Sequence, residues 1–230
     1  MPARVLVAGA RGGIGAAVMA ALAAGGHATH GVDRDTVDIT EPGSAELAVH
    51  QATERLGGLD GIVHAIGMSG RSLGDGPITG CTDEAWAEVH RVNHESVFRL
   101  LRAGVPALSG GGSIVVVGSA LATTLADDFL TVAYASAKGA LVPLVRSAAY
   151  AAAPSGVRVN IVAPGLVNTP MAARALGDPD IARSMAALHP LSRRALEPAE
   201  VAATILWLLS DAARTITGAV VPADGGWNLR

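Results

Sequence analysis

The sequence predicts an α/β domain of the doubly wound kind, a central parallel sheet covered by helices on both faces. Two observations carry that expectation. Short apolar runs alternate along the chain with longer stretches of helical periodicity, and the runs are continuously apolar, as strands buried on both faces are. The strand-like runs are 4–8, 28–32, 61–65, 113–118, 158–163 and 219–222, with helical patterns over 14–24, 45–56, 83–107, 133–153 and 199–210. Thr82 ahead of Asp83 and Glu84, and Pro198 ahead of Glu200, are the residue types that open helices. No repeat, low-complexity linker or charge block divides the 230 residues, so they are read as a single domain.

Composition narrows the class. Seventeen basic against twenty acidic residues, a net charge of −3, offer no basic footprint for nucleic acid and no polybasic face for a membrane. Half of the residues are apolar, yet Gly, Pro and charges interrupt every run well short of the roughly 18 positions a membrane helix needs. The first residues lack a signal-peptide pattern, and the one cysteine, Cys81, fits a reducing compartment; a cytoplasmic protein is expected. Lys138 is the only lysine among the seventeen basic residues. In a chain so biased toward arginine it marks a position where arginine does not serve, because lysine can lower its pKa and carry a proton. Tyrosine is as scarce: the two are Tyr134 and Tyr150, and Tyr134 stands one helical turn before Lys138.

Two regions point to chemistry. The first strand runs into Ala8-Gly9-Ala10-Arg11-Gly12-Gly13-Ile14-Gly15 and then a helix, where glycines permit a tight turn and let backbone N–H groups approach a pyrophosphate. The second strand ends at Asp33, whose carboxylate can accept from ribose hydroxyls and repel a 2′-phosphate. That favours NAD(H) over NADP(H), although Arg34 beside it can receive a 2′-phosphate. Asp38 and Ile39 close the next extended segment and can bracket an adenine. Farther on, a phenol with a reference pKa of about 10 is a poor acid–base group at neutral pH, and the Lys138 ammonium is expected to lower it. Ser119 follows the strand 113–118 and can polarise a substrate oxygen, while Asn93 interrupts a helical stretch and can orient a water chain toward Lys138. His90 and His94 lack an acidic partner pattern, and no metal is expected.

At these residues the chain resembles the short-chain dehydrogenases/reductases, along essentially its whole length. The glycine fingerprint of that family is similar to Gly9, Gly13, Ile14 and Gly15, and its Ser–Tyr–Lys centre with a supporting Asn to Ser119, Tyr134, Lys138 and Asn93. Pro164-Gly165 with Val167, Thr169-Pro170-Met171, and the closing Thr217-Gly218 and Asp224-Gly225-Gly226-Trp227 resemble its later motifs. Three positions depart. Ala8 stands in place of the fingerprint's opening hydroxyl. His64-Ala65-Ile66-Gly67 stands where the family has Asn-Asn-Ala-Gly, so the asparagine contacts that brace the sheet are missing. Ser119 precedes Tyr134 by two residues more than usual, the usual position being Leu121.

The resemblance implies a Rossmann fold and an NAD(P)-dependent oxidoreductase that interconverts a carbonyl and a secondary alcohol. Tyr134 would be the acid/base, Ser119 would hold the oxygen, and Lys138 would tune Tyr134 and bind ribose. Gly9, Arg11, Gly12, Gly13, Ile14, Gly15, Asp33, Arg34, Asp38, Ile39, Ala65, Gly67, Pro164, Gly165, Val167 and Thr169 would line the cofactor. It implies a mobile lid over about 168–196, with Met171, Leu176, Met185 and Leu188. It also implies a homotetramer, or a homodimer, through the helices around 83–107 and 133–153. Arg71 can meet a substrate carboxylate or phosphate, or be an exposed loop arginine. The alternative is a catalytically idle nucleotide-sensing protein on the same fold.

Overall fold

The computed structural model describes residues 3–108 and 110–229. The strands are β1 (Arg4–Ala8), β2 (Ala28–Val32), β3 (Gly61–His64), β4 (Gly112–Val117), β5 (Val157–Pro164) and β6 (Val220–Ala223). All pair in parallel, in the order β2-β1-β3-β4-β5-β6. The helices between them are α1 (Gly13–Ala24), α2 (Ser44–Leu56), α3 (Asp83–His90), α4 (Ser96–Ala107), α5 (Val132–Gly139), α6 (Leu141–Ala152), α7 (Ala173–Leu176), α8 (Pro179–Leu188) and α9 (Pro198–Leu209).

Strand alternation sorts the core into two layers. Val5, Val7, Val63, Val115 and Val117 face α1 and α9, meeting Val18, Leu22, Val201, Ile205 and Leu208. Leu6, Ala8, Ile62, Ile114 and Val116 face the other way, onto Ala48, Leu100, Leu101, Leu141 and Val145 of α2, α4 and α6. The central strands β1, β3 and β4 are thus apolar on both faces for most of their length, which is why their runs are nearly unbroken, whereas the edge strands β2 and β6 are partly exposed. The order of strands reverses direction at β1, whose neighbours are β2 and β3. A crevice opens there at the carboxyl ends of the strands, where folds of this kind hold ligands.

Three stretches depart from the expected pattern. Residues 83–107 are not one helix: a π-helical turn, Arg91–Glu95, separates α3 from α4. It inserts a wider turn between two helices that continue directly into it, so the stretch reads as one helix in the sequence. The stretch 133–153 divides at Ala140 into α5 and α6, because Pro143 in the first turn of α6 has no N–H to donate to the turn before it. Finally, α7 and α8 lie inside the expected lid. The helix starts are as read: Thr82 Oγ1 accepts from Ala85 N at 3.0 Å, and Glu197 and Glu200 form a reciprocal capping box around Pro198.

Ile62 has no exposed surface and its Cδ1 packs where Gly104 leaves room on α4. Ile62→Ala should lower stability by about 2–5 kcal/mol, read as a lower urea midpoint with an unchanged slope.

Candidate active site

At the end of β1 the chain must turn sharply against β3. Gly9 has φ +83°, and a Cβ there would stand 2.8 Å from the carbonyl carbon and oxygen of Ala65. A Cβ on Gly15 would run into the Gly9 carbonyl, and one on Gly13 into the Thr169 side chain. The hydroxyl missing at Ala8 is replaced in effect by Asp33. Asp33 Oδ2 accepts from Arg11 N at 2.9 Å, and Gly9 N and Ala10 N donate to Val32 O at 2.9 and 3.2 Å. The N–H groups of Gly13, Ile14 and Gly15 have no carbonyl one turn back, no side chain caps them, and no acidic residue lies in the first turn of α1. That leaves an electropositive helix end at the crevice, the donor set a pyrophosphate requires.

Asp33 sits half-buried at the end of β2, its other oxygen accepting from Arg34 N at 2.9 Å. Arg34 itself is exposed, and the Arg11 guanidinium is paired with Asp35. Asp38 Oδ1 closes on Thr40, accepting from its N–H and hydroxyl at 2.9 and 2.6 Å. Ile39 corrects an expectation: it has no exposed surface and belongs to the core beneath β2, so its side chain cannot bracket an adenine.

At the end of β4, Ser119 is buried and its Oγ accepts from Leu121 N at 3.2 Å. Across from it, α5 carries Tyr134 and Lys138. Lys138 is 3% exposed and its Nζ donates to Val117 O at 2.8 Å. Burial lowers its pKa to about 8. The expected effect of Lys138 on the phenol is not what sets it here. Burial pushes the Tyr134 phenol above its ordinary value, and the nearby Ser119 side chain pulls the other way. Ser119 and Leu121 both line the cavity, and only Ser119 brings a hydroxyl to it.

Asn93 lies in the π turn with no exposed surface. The side chain expected to order water toward Lys138 makes three bonds to backbone. Its Oδ1 accepts from Met68 N at 3.1 Å, and its Nδ2 donates to Met68 O and Val89 O at 2.9 and 3.1 Å. It therefore sets the turn that holds Gly67, where a Cβ would meet Asn93 Oδ1 at 2.8 Å and Lys138 Nζ at 3.6 Å. Asp75 is a residue that sequence reasoning missed. Buried in the loop after β3, it accepts from Ala133 N and Tyr134 N, both at 3.0 Å, and so caps the helix bearing Tyr134 from far along the chain.

These groups surround a cavity of about 460 Å³. Gly12, Gly13, Ile14, Ala65, Gly67, Ser119, Tyr134, Lys138, Pro164, Gly165, Val167 and Thr169 line it, whereas Gly9, Gly15, Asp33, Arg34, Asp38 and Asn93 do not. The segment 168–196 is only partly a cover: Met171 reaches the cavity, but Ile181, Met185 and Leu188 are buried in a small core with Ala120, Leu166 and Trp227. His189, fully buried, ties that segment to the floor. Its Nε2 accepts from Leu166 N at 3.1 Å and its Nδ1 donates to Arg194 O at 2.8 Å. Trp227 closes the far wall against Phe129, their ring centroids 5.1 Å apart.

His64 replaces the missing asparagine brace. Its Nε2 lies 2.8 Å from Ser96 Oγ, and that hydroxyl donates onward to Val92 O at 2.6 Å, so the imidazole must be the donor. Its Nδ1 is then buried without a partner. Burial, aided by the Lys138 charge, lowers the His64 pKa to about 3. An unfolded chain takes up this proton below pH ~6.5, whereas the folded one refuses it until pH ~3. Stability should therefore fall as pH drops through that window, by at most about 1.4 kcal/mol per pH unit from this residue. His64→Asn should flatten the loss of Tm between pH ~7 and ~5; a parallel loss in both proteins would assign it elsewhere.

Comparison with known proteins agrees with this geometry. A family model described as "Enoyl-(Acyl carrier protein) reductase" matches residues 3–228. The L-xylulose reductase of Bos taurus is 35% identical, over 97% of this chain and 96% of its own. The cis-4-hydroxycyclohexanecarboxylate dehydrogenase of Sinomonas cyclohexanicum is 32% identical, over 96% and 95%. A short-chain type dehydrogenase/reductase from Mycobacterium ulcerans, of known structure, superposes with a TM-score of 0.88 at 31% identity, over 98% of this chain and 90% of that one. With the parallel sheet, the glycine turn and the Ser119–Tyr134–Lys138 cluster on one cavity, the chain belongs to the short-chain dehydrogenase/reductase family of oxidoreductases.

Proposed function

We propose that the protein interconverts a carbonyl and a secondary alcohol with a nicotinamide dinucleotide, Tyr134 serving as the acid/base. The observation that carries this reading is that Ser119, Tyr134 and Lys138 border the same cavity as Gly12 and Gly13 of the uncapped α1 terminus. The uncapped N–H groups suit the pyrophosphate, and Lys138, beside Gly67, suits a ribose hydroxyl. Bound there, the dinucleotide accepts or supplies the hydride. In oxidation the alcohol carbon gives up hydride while its O–H proton passes to Tyr134 Oη; in reduction Tyr134 returns that proton to the carbonyl oxygen. Ser119 holds that oxygen throughout. Gly9, Arg11, Ile14, Gly15, Ala65, Pro164, Gly165, Val167 and Thr169 shape the cofactor groove.

NAD(H) is favoured over NADP(H), because the Asp33 carboxylate, fixed by two backbone N–H groups, meets the adenosine ribose before the exposed Arg34 does. The relatives named above act on a sugar and on an alicyclic hydroxy acid, so they leave the substrate at the level of alcohol or carbonyl. Association into a homotetramer or homodimer finds support in Trp86 and Phe98, exposed on α3 and α4, and in Tyr150 on α6. Among the described residues no helix is long and apolar enough to cross a membrane.

Tyr134→Phe should reduce turnover by at least about 10²-fold while cofactor affinity stays within a few-fold by titration; a near-normal rate would end the proton-transfer assignment. Because burial keeps the phenol protonated, alcohol oxidation should accelerate with pH from about 7 to 10 and carbonyl reduction should not. Asp33→Ala should narrow the NADH-to-NADPH affinity ratio, and an unchanged ratio would move the choice to Arg34.

A further inference from the structure

The charged residues lining the cavity are Arg71, Lys138 and Arg174; none is acidic, in a protein whose net charge is −3. Lys138 is occupied at the inner end by Val117 O. The two arginines come from separate segments, Arg71 from the short 3₁₀ turn after Gly70 and Arg174 from α7, and converge on a third. Arg71 Nη2 and Arg174 Nη2 both donate to the backbone carbonyl of Asp128, at 3.0 and 3.2 Å. One neutral oxygen thus serves two guanidinium groups. Arg71 enters no ion pair among the described residues, and Arg174 has only a loose one, to Asp178 at 3.9 Å. Two cations held on one neutral oxygen repel: burial and Arg174 lower the Arg71 pKa, against a weaker opposing pull from the buried Asp75 carboxylate, which forms no ion pair with it. Most arginines elsewhere on this chain that approach a partner have found a carboxylate, as Arg4, Arg91, Arg102 and Arg194 have.

We infer that Arg71 and Arg174 form the binding site for a carboxylate on the substrate, which is therefore a small hydroxy or oxo acid with an apolar body. This rests on the oxidoreductase reading above and adds the substrate class to it. The remaining wall supports the apolar body: Leu121, Phe129, Met171, Ala175 and Trp227 line the same cavity. The volume is also limiting, since about 460 Å³ has to take the nicotinamide end of the dinucleotide as well. Guanidinium forks match a carboxylate in two parallel charge-assisted bonds, and a cleft of one sign concentrates an anionic substrate.

The test compares an anion with its neutral twin in two readouts. In the first, cyclohexanecarboxylate and its methyl ester are titrated calorimetrically into the protein saturated with NADH. The acid should bind and the ester should bind at least about tenfold more weakly. Arg71→Gln with Arg174→Gln should remove the difference, and Arg71→Lys should keep part of it. In the second, 4-oxocyclohexanecarboxylate and its methyl ester are compared as substrates, with kcat/KM expected to favour the acid in the native protein and not in the double variant. Equal binding of acid and ester, no binding of the acid, or a preference that survives in the double variant would each overturn the carboxylate site. Failure of the oxidoreductase reading looks different: NADH and NADPH would not bind, or neutral ketones and acids alike would bind without being reduced.

Discussion

The arrangement of the site hangs on one buried contact, the bond from Lys138 Nζ to Val117 O. An ammonium this far from water needs an acceptor, and the one it finds is the last carbonyl of β4, two residues before Ser119. The bond therefore draws α5 against the carboxyl edge of the sheet and sets Tyr134 and Ser119 facing each other. Asp75 fixes the other end of the same helix by accepting from Ala133 N and Tyr134 N in its first turn. With a lysine below and a carboxylate at its head, α5 has little freedom to rotate its phenol away from the cavity. An arginine in place of Lys138 would bring a wider, permanently charged fork into a space sized for a single amine. This gives a physical reason for the lone lysine.

A second constraint is steric and sits at the switch point of the sheet. Gly9 approaches the Ala65 backbone too closely for a side chain, and Gly15 approaches Gly9 in the same way. The turn is thereby fastened to β3, and α1 starts directly over the crevice. The ends of that crevice differ in character. Toward β2 it is polar and partly open, with Asp33, outside the cavity itself, held by backbone N–H groups. The opposite end is walled by Phe129, Met171 and Trp227 and carries only positive charge. The crevice thus presents uncapped N–H groups near the glycines and a largely apolar, positively charged wall farther out.

Much of this was legible in the sequence, for identifiable reasons. Strand limits were readable to within a residue because strands buried on both faces leave unbroken apolar runs. Tyr134 and Lys138 stand out in the sequence by rarity and spacing and Ser119 by its place after a strand-like run, and the structure brings all three to one cavity. What was not legible is what depends on contacts between distant segments. The π turn at Asn93 joins α3 directly to α4, so the stretch reads as one helix. Asp75 looks like any loop acid until α5 is seen to end on it. Ile39, apolar at a strand end, was indistinguishable from an adenine contact until the core was seen to enclose it. Arg71 could be read as a solvated loop arginine because its companion, Arg174, lies far away in a segment whose helices carry weak patterns. His64 looked like a lost asparagine, yet with Ser96 it makes a different brace in the same place.

The most direct test of the account is calorimetric titration of the purified protein with NADH and with NADPH. The glycine turn, the uncapped α1 terminus and Asp33 together predict saturable binding of both dinucleotides, with NADH the tighter. Absence of binding to either, in protein that is folded by circular dichroism, would contradict the central claim that this crevice is built for a nicotinamide dinucleotide.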